Sequence, residues 1–485
     1  MLTTNLDERW ESRKSRLAET QGLAQQSEPG PEALAAAAGN PFAPRAWASP
    51  ASPHVLLADP FGLPNSVLLD TARLLRGSLS EVSNAMTIPC DIVIKNARVF
   101  DGEKLIEGSP SVGIVGNKIG FVGKNSASAV REIDASGRFL MPGLIDCHLH
   151  LLNMWTALDP ARMAADIGSE LKTRLRALLA AGVTTVKSVG DSEDDILRVR
   201  SMLSAGELVG PRLYATGGAF AAPDSHPGTT IFSKNPWMRN RAVFETDSPH
   251  RAREAVRCKA ENKVDAIKIV HQGGCKHGDP YFFKAAALGI DIQILRLERA
   301  VLEAIIDEAH KHRLKATVHT VDQRAALEAL EAGADGLEHG VIHEPLVDDR
   351  VIELLLANRA SYVPTLWLIA FEEETAATRY ANLRRIVDAG VRAPMGSDTF
   401  CGFGSFGEIT HIEMEHYARA GIPPLKILKM ATSDAAQHLD ANDLGVIAPG
   451  RLADLILVDG NPEADISALR NISTLFKNGQ VLVGI

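Results

Sequence analysis

The chain has 485 residues, of which 45% are hydrophobic and 23% charged, so it has the composition of an ordinary globular protein with a substantial core. Its formal net charge of −9 provides no basic surface for nucleic acid or for an anionic membrane. We therefore expect neither partner, and no apolar run approaches the roughly 18–20 residues that cross a bilayer.

Residues 1–88 are predicted to form an N-terminal extension without chemistry of its own. They begin with a charged segment that lacks the apolar core of a secretory signal and continue with a stretch rich in Pro, Ala and Gly. This composition favours a linker or tail. The alternative is an arm that packs on a neighbouring subunit, for which reason we expect a homo-oligomer. Five cysteines without CxxC spacing are typical of free thiols in a reducing cytoplasm.

Residues 89–141 and 441–485 share a pattern of short β-strands broken by turn residues. The first contains DIVIKNARVFDG and SVGIVGNKIGFVG, and the second contains RLADLILVDGNP and ISTLFKNGQVLV. Because the two ends of a folded domain often lie close together, we predict that these segments form the two parts of one small β-sandwich.

Residues 142–440 alternate apolar strands with helical runs such as ERAVLEAIIDEAHKH. No GxGxxG or GxxxxGK[ST] motif opens a helix, which argues against a nucleotide-binding fold. Eight strand–helix repeats over about 300 residues predict an α/β protein with a (β/α)8 TIM barrel. The eight strands are predicted at Leu144–His150, Val183–Gly190, Arg212–Phe220, Ala266–Gly274, Lys315–Thr320, Gly336–Gly340, Ser361–Leu366 and Arg392–Thr399.

Metal-competent side chains lie where these strands end, and chemistry in such barrels sits at the carboxyl ends of the strands. In LIDCHLH, alternation places His148 and His150 on one face, where two imidazoles can share a metal ion. The alternative is a merely polar strand face. Four further strand-end candidates on four other strands favour a metal site: Lys268, His319, His339 and Asp398.

Lys268 and Asp398 are the two candidates with a catalytic role. Alternation in AIKIV directs Lys268 inward, where burial lowers the pKa of its amine, and a neutral amine can take up carbon dioxide as a carbamate that bridges two cations. A salt bridge between Lys268 and Asp398 or another carboxylate is the alternative. Asp398 follows Gly396 and Ser397, a turn that could direct its carboxylate inward; a helix N-cap is its alternative role.

The motifs PGLIDCHLHL, DAIKIV, GADGLEHG, GSDT and GVIAPGRLADLILVDGNP together resemble the metal-dependent amidohydrolase superfamily, most nearly its imidazolonepropionase- and prolidase-like branch. The resemblance covers residues 90–485. It implies two divalent ions, with Zn²⁺ suited to the ligands and Mn²⁺ or Co²⁺ also possible, and carbon dioxide as the source of a lysine carbamate. The implied ligands are His148, His150 and Asp398 for the more buried ion, His319 and His339 for the more exposed one, and carbamylated Lys268 between them.

We therefore predict a hydrolase that cleaves an amide, carbamate or urea-like C–N bond of a small molecule or dipeptide. Two cations would generate a bridging hydroxide, and Asp398 would transfer the proton to the leaving amine. A lactone or ester is the first alternative substrate. A ring deaminase is less favoured, because deaminating relatives use one metal and a glutamate shortly after the fifth-strand histidine, where this chain has Asp322. A non-catalytic metal-binding barrel is least favoured, since a structural zinc needs only four ligands.

Loops after the strands are expected to determine the substrate. The long segment after the third predicted strand reads as a lid, and its aromatic residues favour an apolar or aromatic substrate group. The candidate substrate-binding residues are Trp155, His226, His271, Tyr281 and His343. For these histidines, stabilising a loop or facing solvent is the alternative role.

Overall fold

The computed structural model describes residues 89–124, 129–273, 294–371, 373–402 and 404–482. The predicted N-terminal extension and Tyr281 lie outside these residues. Ser83–Ile485 form one compact unit. Among the described residues, no helix combines the length and the apolar character that a bilayer crossing requires.

The described strands follow one another as Cys90–Lys95 (β1), Arg98–Phe100 (β2), Leu105–Ile106 (β3), Ser111–Val115 (β4), Lys118–Gly123 (β5), Ala129–Asp134 (β6), Phe139–Pro142 (β7), Leu144–Leu149 (β8), Val183–Ser188 (β9), Arg212–Ala215 (β10), Ala219–Ala221 (β11), Val243–Glu245 (β12), Ala266–Val270 (β13), Lys315–His319 (β14), Gly336–Glu338 (β15), Ser361–Val363 (β16), Leu455–Val458 (β17), Ile472–Lys477 (β18) and Gln480–Leu482 (β19).

The described α-helices are Pro160–Gly168 (α1), Glu170–Ala180 (α2), Glu193–Ala205 (α3), Pro236–Ala242 (α4), Pro249–Glu261 (α5), Arg299–Lys311 (α6), Gln323–Glu331 (α7), Asp349–Ala357 (α8), Ala376–Asp388 (α9), Glu408–Arg419 (α10), Pro424–Met430 (α11) and Ser433–His438 (α12). Short 3-10 turns cover Leu366–Phe371, Glu373–Thr375 and Ile466–Arg470.

The strands before residue 143 and those after residue 454 form two sheets. One has the order β5-β4-β1-β6 and consists of strands from the first segment, and the other, β19-β18-β17-β7-β2-β3, combines strands of both segments. Strand β17 pairs antiparallel with β7, from Leu455 opposite Pro142 to Val458 opposite Phe139. Fully buried apolar side chains from both sheets pack in one cluster. Burying this apolar surface stabilises the pairing of two segments that are far apart in sequence.

The strands between these flanking segments are parallel, in the orders β10-β9-β8 and β12-β11-β13-β14-β15-β16. Helices connect them and cover them with apolar faces; α6, for example, buries Val301, Leu302, Ile305 and Ile306 at helical spacing. Parallel strands that are covered in this way are rigid supports. The side chains at their carboxyl ends are therefore held in fixed positions.

The fourth and seventh predicted strands end earlier than expected, at Val270 and Val363, and two other predicted strands are not continuous. The third is interrupted between β10 and β11, where Gly217 and Gly218 stand and Gly217 has a φ of +62°. The eighth is not a regular strand: its residues make isolated parallel bridges, from Arg392 to Ser361 and from Thr399 to Leu149. Pro394 has no N–H to donate, and Asp398 has a left-handed φ of +49°, so a continuous ladder cannot form.

Candidate metal centre

His148, His150 and Asp398 lie together where β8 ends. One ligand-competent atom from each lies within 4.8 Å of the others. Asp398 Oδ1 is 3.1 Å from His150 Nε2 and 3.4 Å from His148 Nε2. Burial opposes ionisation of Asp398, yet attraction to His148 and hydrogen bonds from both histidines hold its pKa well below the usual range. The group therefore offers two imidazoles and a carboxylate to one cation.

The backbone around Asp398 holds the carboxylate close to β8. Its N–H donates to the carbonyl oxygen of His148 at 2.6 Å, and the N–H of Ser397 donates to Asp146 Oδ1 at 3.0 Å. Gly396 allows this approach, because a Cβ there would lie 2.9 Å from Cβ of His148. The irregular segment thus replaces a strand ladder with contacts that direct Asp398 at the two histidines.

His319 and His339 extend the group through a series of ring contacts that begins at His148. The ring centroids of His319 and His339 are 4.5 Å apart, and those of His148 and His339 are 4.8 Å apart. Burial and neighbouring positive charge hold the pKa values of His319 and His339 well below the ordinary value of 6.5. Both imidazoles are therefore neutral near pH 7, which is the form that binds a metal.

Each of three histidines has a partner that orients its ring. His148 Nδ1 lies 2.7 Å from Glu338 Oε2, His339 Nδ1 lies 2.8 Å from Thr365 Oγ1, and His319 Nε2 lies 2.7 Å from Gln272 Oε1. Such outer partners determine which ring nitrogen is presented to a metal and are typical of histidine metal sites. The donor set thus fits a metal centre in both ligand type and orientation.

Lys268 on β13 has a buried amine without an ion pair. Its Nζ makes no hydrogen bond within the described part of the chain, so the predicted alternative of a salt bridge to Asp398 is not observed there. Burial lowers the pKa of Lys268 to about 8, against the attraction of Glu338 and Asp398. Lys187 on β9 differs, because its Nζ pairs with Glu338 Oε1 at 2.8 Å. Among the described residues, Lys187 is thus a paired buried lysine, whereas Lys268 has no hydrogen-bond partner and stands where the sequence predicts a carbamate.

The proposed substrate contacts lie in different surroundings. His226 is beside the centre, with its ring 5.0 Å from that of His319 and Nδ1 2.6 Å from Thr230 Oγ1. His271 instead has Nε2 2.9 Å from Glu328 Oε2 on α7.

Trp155 is 37% exposed and its ring lies 5.9 Å from that of Phe400, two residues after Asp398. His343 is partly exposed, and its backbone N–H donates to the carbonyl oxygen of Val321 at 3.4 Å. Of the four described candidates, His226 has a ring contact with a histidine ligand, and Trp155 contacts the segment that carries Asp398 through Phe400.

Glu413 on α10 is a buried carboxylate that the sequence analysis overlooked. It accepts hydrogen bonds from the N–H groups of Leu366 at 2.7 Å and Trp367 at 2.6 Å. These bonds fix the turn after β16, in which Thr365 has a φ of +49° and reaches His339. Burial raises the pKa of Glu413 to about 8, although the two backbone N–H groups oppose the change.

The raised pKa predicts a pH-dependent stability that originates at Glu413. Because the folded-state pKa lies above the ordinary value of 4.5, its contribution is complete below about pH 4.5 and is lost as the pH rises through about 8. The unfolding free energy of the wild type should decrease between pH 5 and pH 9. We expect Glu413→Gln to make this decrease smaller, by on the order of a few kcal/mol. Urea unfolding of both proteins at five pH values measures the unfolding free energy as a function of pH.

The matched control for this prediction is Glu415→Gln on the same helix. Glu415 forms an ion pair with Arg470 near the surface, so its loss should leave the shape of the pH profile unchanged. Parallel profiles for wild type and Glu413→Gln would contradict the prediction.

Comparison with known proteins identifies relatives over most of the chain. The amidohydrolase family profile matches residues 139–482. Ochratoxinase of Aspergillus niger is 24% identical over 386 residues, which span 71% of this chain and 76% of that enzyme. Imidazolonepropionase of Shouchella clausii is 24% identical over 454 residues, spanning 81% of this chain and 91% of that enzyme.

Among solved structures, a Xaa-Pro dipeptidase with methionine bound in its active site is similar, with a TM-score of 0.67 and 25% identity. The match covers 81% of this chain and all of that one. The residues that match the family profile include all six candidate ligands. The resemblance identified from the sequence motifs is thereby confirmed.

Proposed function

The chain belongs to the amidohydrolase family, and from this premise we propose that it is a metal-dependent hydrolase of a C–N bond in a small amide, carbamate, urea or dipeptide. The observation that carries the proposal is the buried amine of Lys268, which has no hydrogen-bond partner among the described residues and interacts electrostatically with Asp398 of the group His148, His150 and Asp398. A buried amine without a counter-charge is unfavourable and has no evident use in a mononuclear or purely structural site.

The residues present fit two divalent ions. His148, His150 and Asp398 would hold one, His319 and His339 the other, and Lys268, as its carbamate, both. Zinc suits these nitrogen and oxygen ligands, and manganese or cobalt remains an alternative. When bound, such ions lower the pKa of water and polarise a carbonyl.

Asp398 would transfer the proton in the reaction. Its low pKa keeps it ionised, and Oδ2 lies 3.8 Å from His339 Nδ1, at the boundary between the two halves of the ligand set. From there the carboxylate would accept a proton from the attacking water and deliver it to the leaving nitrogen. His226, whose pKa burial lowers to about 3, would be a neutral hydrogen-bonding partner for the substrate beside His319.

A lactone or ester remains the alternative substrate, since the same attack on a carbonyl carbon can cleave the C–O bond of an ester as well as the C–N bond of an amide. The deaminase alternative lacks support at Asp322, the acidic residue after His319. Asp322 Oδ1 accepts a hydrogen bond from the N–H of Ala325 at 2.8 Å, and so Asp322 caps α7. Because its carboxylate is engaged in capping a helix, Asp322 is disfavoured as a catalytic acid.

We extend the proposal to the architecture: the parallel strands close into a (β/α)8 barrel, and the flanking sheets form a β-sandwich. The bridges of residues 392–399 to both β8 and β16 support closure. The apolar cluster shared by the two flanking sheets supports the sandwich.

The proposal predicts that the purified protein binds about two transition-metal ions per chain. We expect a chelator such as dipicolinate to abolish hydrolysis and to lower the melting temperature, because the metals bind the folded state. Inductively coupled plasma mass spectrometry measures the metal content, and thermal unfolding measures the melting temperature. Protein that contains no transition metal, cannot be loaded and does not respond to chelators would refute the proposal.

Substrate screening completes this test. Metal-loaded protein is to be offered N-acyl amino acids, dipeptides, aryl amides, carbamates and lactones. Turnover of any C–N compound supports the proposal. Turnover restricted to lactones selects the alternative, and release of ammonia from a heterocycle selects deamination.

A further inference from the structure

A buried carboxylate, Glu338, connects three strands behind the metal centre, and we propose that it is the positioning residue that fixes the His148 ring for metal binding, with Lys187 and His438 holding it in place. The inference rests on the proposed function, because it requires a metal at His148. It concerns residues that do not themselves contact a substrate.

The four side chains form one continuous chain of hydrogen bonds. Glu338 Oε2 lies 2.7 Å from His148 Nδ1, and Glu338 Oε1 lies 2.8 Å from Lys187 Nζ. Lys187 Nζ also lies 2.7 Å from His438 Nε2. Each of the four residues is at most 3% exposed, so solvent cannot substitute for a lost partner.

Glu338 reaches across the interior rather than along a sheet. It ends β15, whose hydrogen-bonded neighbours are β14 and β16, whereas His148 lies on β8 and Lys187 on β9 of the other parallel sheet. The next residue, His339, has a left-handed φ of +66°. This departure from extended backbone breaks the alternation of a strand, so that consecutive residues can serve the same site: Glu338 behind His148 and His339 beside Asp398.

The ion pair between Glu338 and Lys187 indicates the hydrogen-bonding direction, because it identifies Glu338 as a carboxylate. A carboxylate only accepts, so His148 donates to it from Nδ1–H. A metal bound at Nε2 of His148 would then take the place of the hydrogen bond from that nitrogen to Asp398. His438 is neutral, since burial lowers its pKa far below 6.5, and its Nε2 can accept from the Lys187 ammonium.

The two buried lysines near Glu338 differ in their partners. Lys187 pairs with Glu338 at 2.8 Å, whereas Lys268 Nζ makes no hydrogen bond within the described structure, although the charge of Glu338 still attracts it.

The test measures Co²⁺ affinity of the full chain by competition with a chromophoric chelator, together with the visible absorption of bound Co²⁺. We expect Glu338→Leu to weaken the affinity by about 10–100-fold, the usual effect of losing a hydrogen-bond partner that orients a metal-binding histidine. Glu338→Gln should weaken it less, because its amide oxygen can still accept from His148. The Co²⁺ spectrum should change in Glu338→Leu, since the ring is free to turn.

Two further variants separate positioning from stability. The double variant Lys187→Met with Glu338→Leu removes both charges, so it leaves no unpaired buried ion, and we expect it to fold and still bind Co²⁺ weakly. Asp454→Asn is the matched control: Asp454 pairs with Lys477 at 2.7 Å in the flanking sheet, so this variant should lose stability but not Co²⁺ affinity.

Wild-type affinity and an unchanged spectrum in Glu338→Leu, or in the double variant, would overturn the inference while leaving the proposed function intact. A loss of Co²⁺ affinity in Asp454→Asn as large as that in Glu338→Leu would also overturn it, because general destabilisation would then explain the effect. Wild-type protein that binds no Co²⁺ would overturn the proposed function and this inference with it.

Discussion

Asp398→Ala is expected to lower kcat by about 10²–10⁴-fold, the range that general acid–base groups contribute. The carboxylate is ionised and lies within 3.4 Å of both His148 and His150, so its removal takes away the acid–base group that faces both histidines. The fold should survive, because Asp398 is held by backbone bonds of its own segment. Steady-state kinetics with a substrate from the screen measure the loss, and metal analysis measures how much of the metal remains.

The control for this prediction is Asp322→Asn. Asparagine caps a helix as well as aspartate does, and Asp322 caps α7, so this variant should retain wild-type kcat. Full activity in Asp398→Ala would remove its proton-transfer role. A loss in Asp322→Asn that matches the loss in Asp398→Ala would instead favour a deaminase-like use of the acid after His319.

Lys268→Ala should lose metal and activity together, with kcat/KM falling by more than about 100-fold, since loss of an outer-shell partner alone costs 10–100-fold. The small side chain leaves a space where the carbamate would stand. Formate, acetate or propionate can enter that space and supply a bridging carboxylate. We therefore expect these acids to restore part of both metal content and turnover, in a concentration-dependent manner.

Lys259→Ala provides the matched control, because Lys259 is also buried but pairs with Glu193. Its loss should destabilise the chain without removing metal, and short carboxylates should have no effect on it. If Lys268→Ala retains two metals and wild-type turnover, the bridging role is wrong. If it loses metal but no carboxylate restores any, Lys268 contributes as a structural amine rather than as a carbamate.

The strand-end residues could be predicted from sequence because the relevant physics is local. Alternation with period two brings His148 and His150 to one face of β8, and apolar strands followed by a histidine or lysine indicate where parallel strands end. The structure brings His148, His150 and Asp398 within ligand distance and places the rings of His319 and His339 edge to face, 4.5 Å apart. Pattern and composition alone were sufficient to choose these candidates.

Neighbouring residues of equal importance were overlooked because the same rule assigns one inward residue per strand end. Glu338 stands beside His339 in GLEHG, and alternation directs it to the opposite face. Only the left-handed φ of His339 lets both act at the centre. Lys187 was overlooked for a related reason: a lysine within an apolar strand shows its role only when its partner is known.

The sequence by itself determined the family, the parallel α/β pattern and the identity of the strand-end donors, because these depend on residue types and on spacing along one strand. Tertiary structure alone decided which amine is paired, which face Glu338 serves, and that His271 contacts Glu328. It also decided that residues 392–399 form bridges rather than a strand. These features depend on contacts between distant residues, such as His148 and Glu338, 190 positions apart, and no local propensity encodes such a contact.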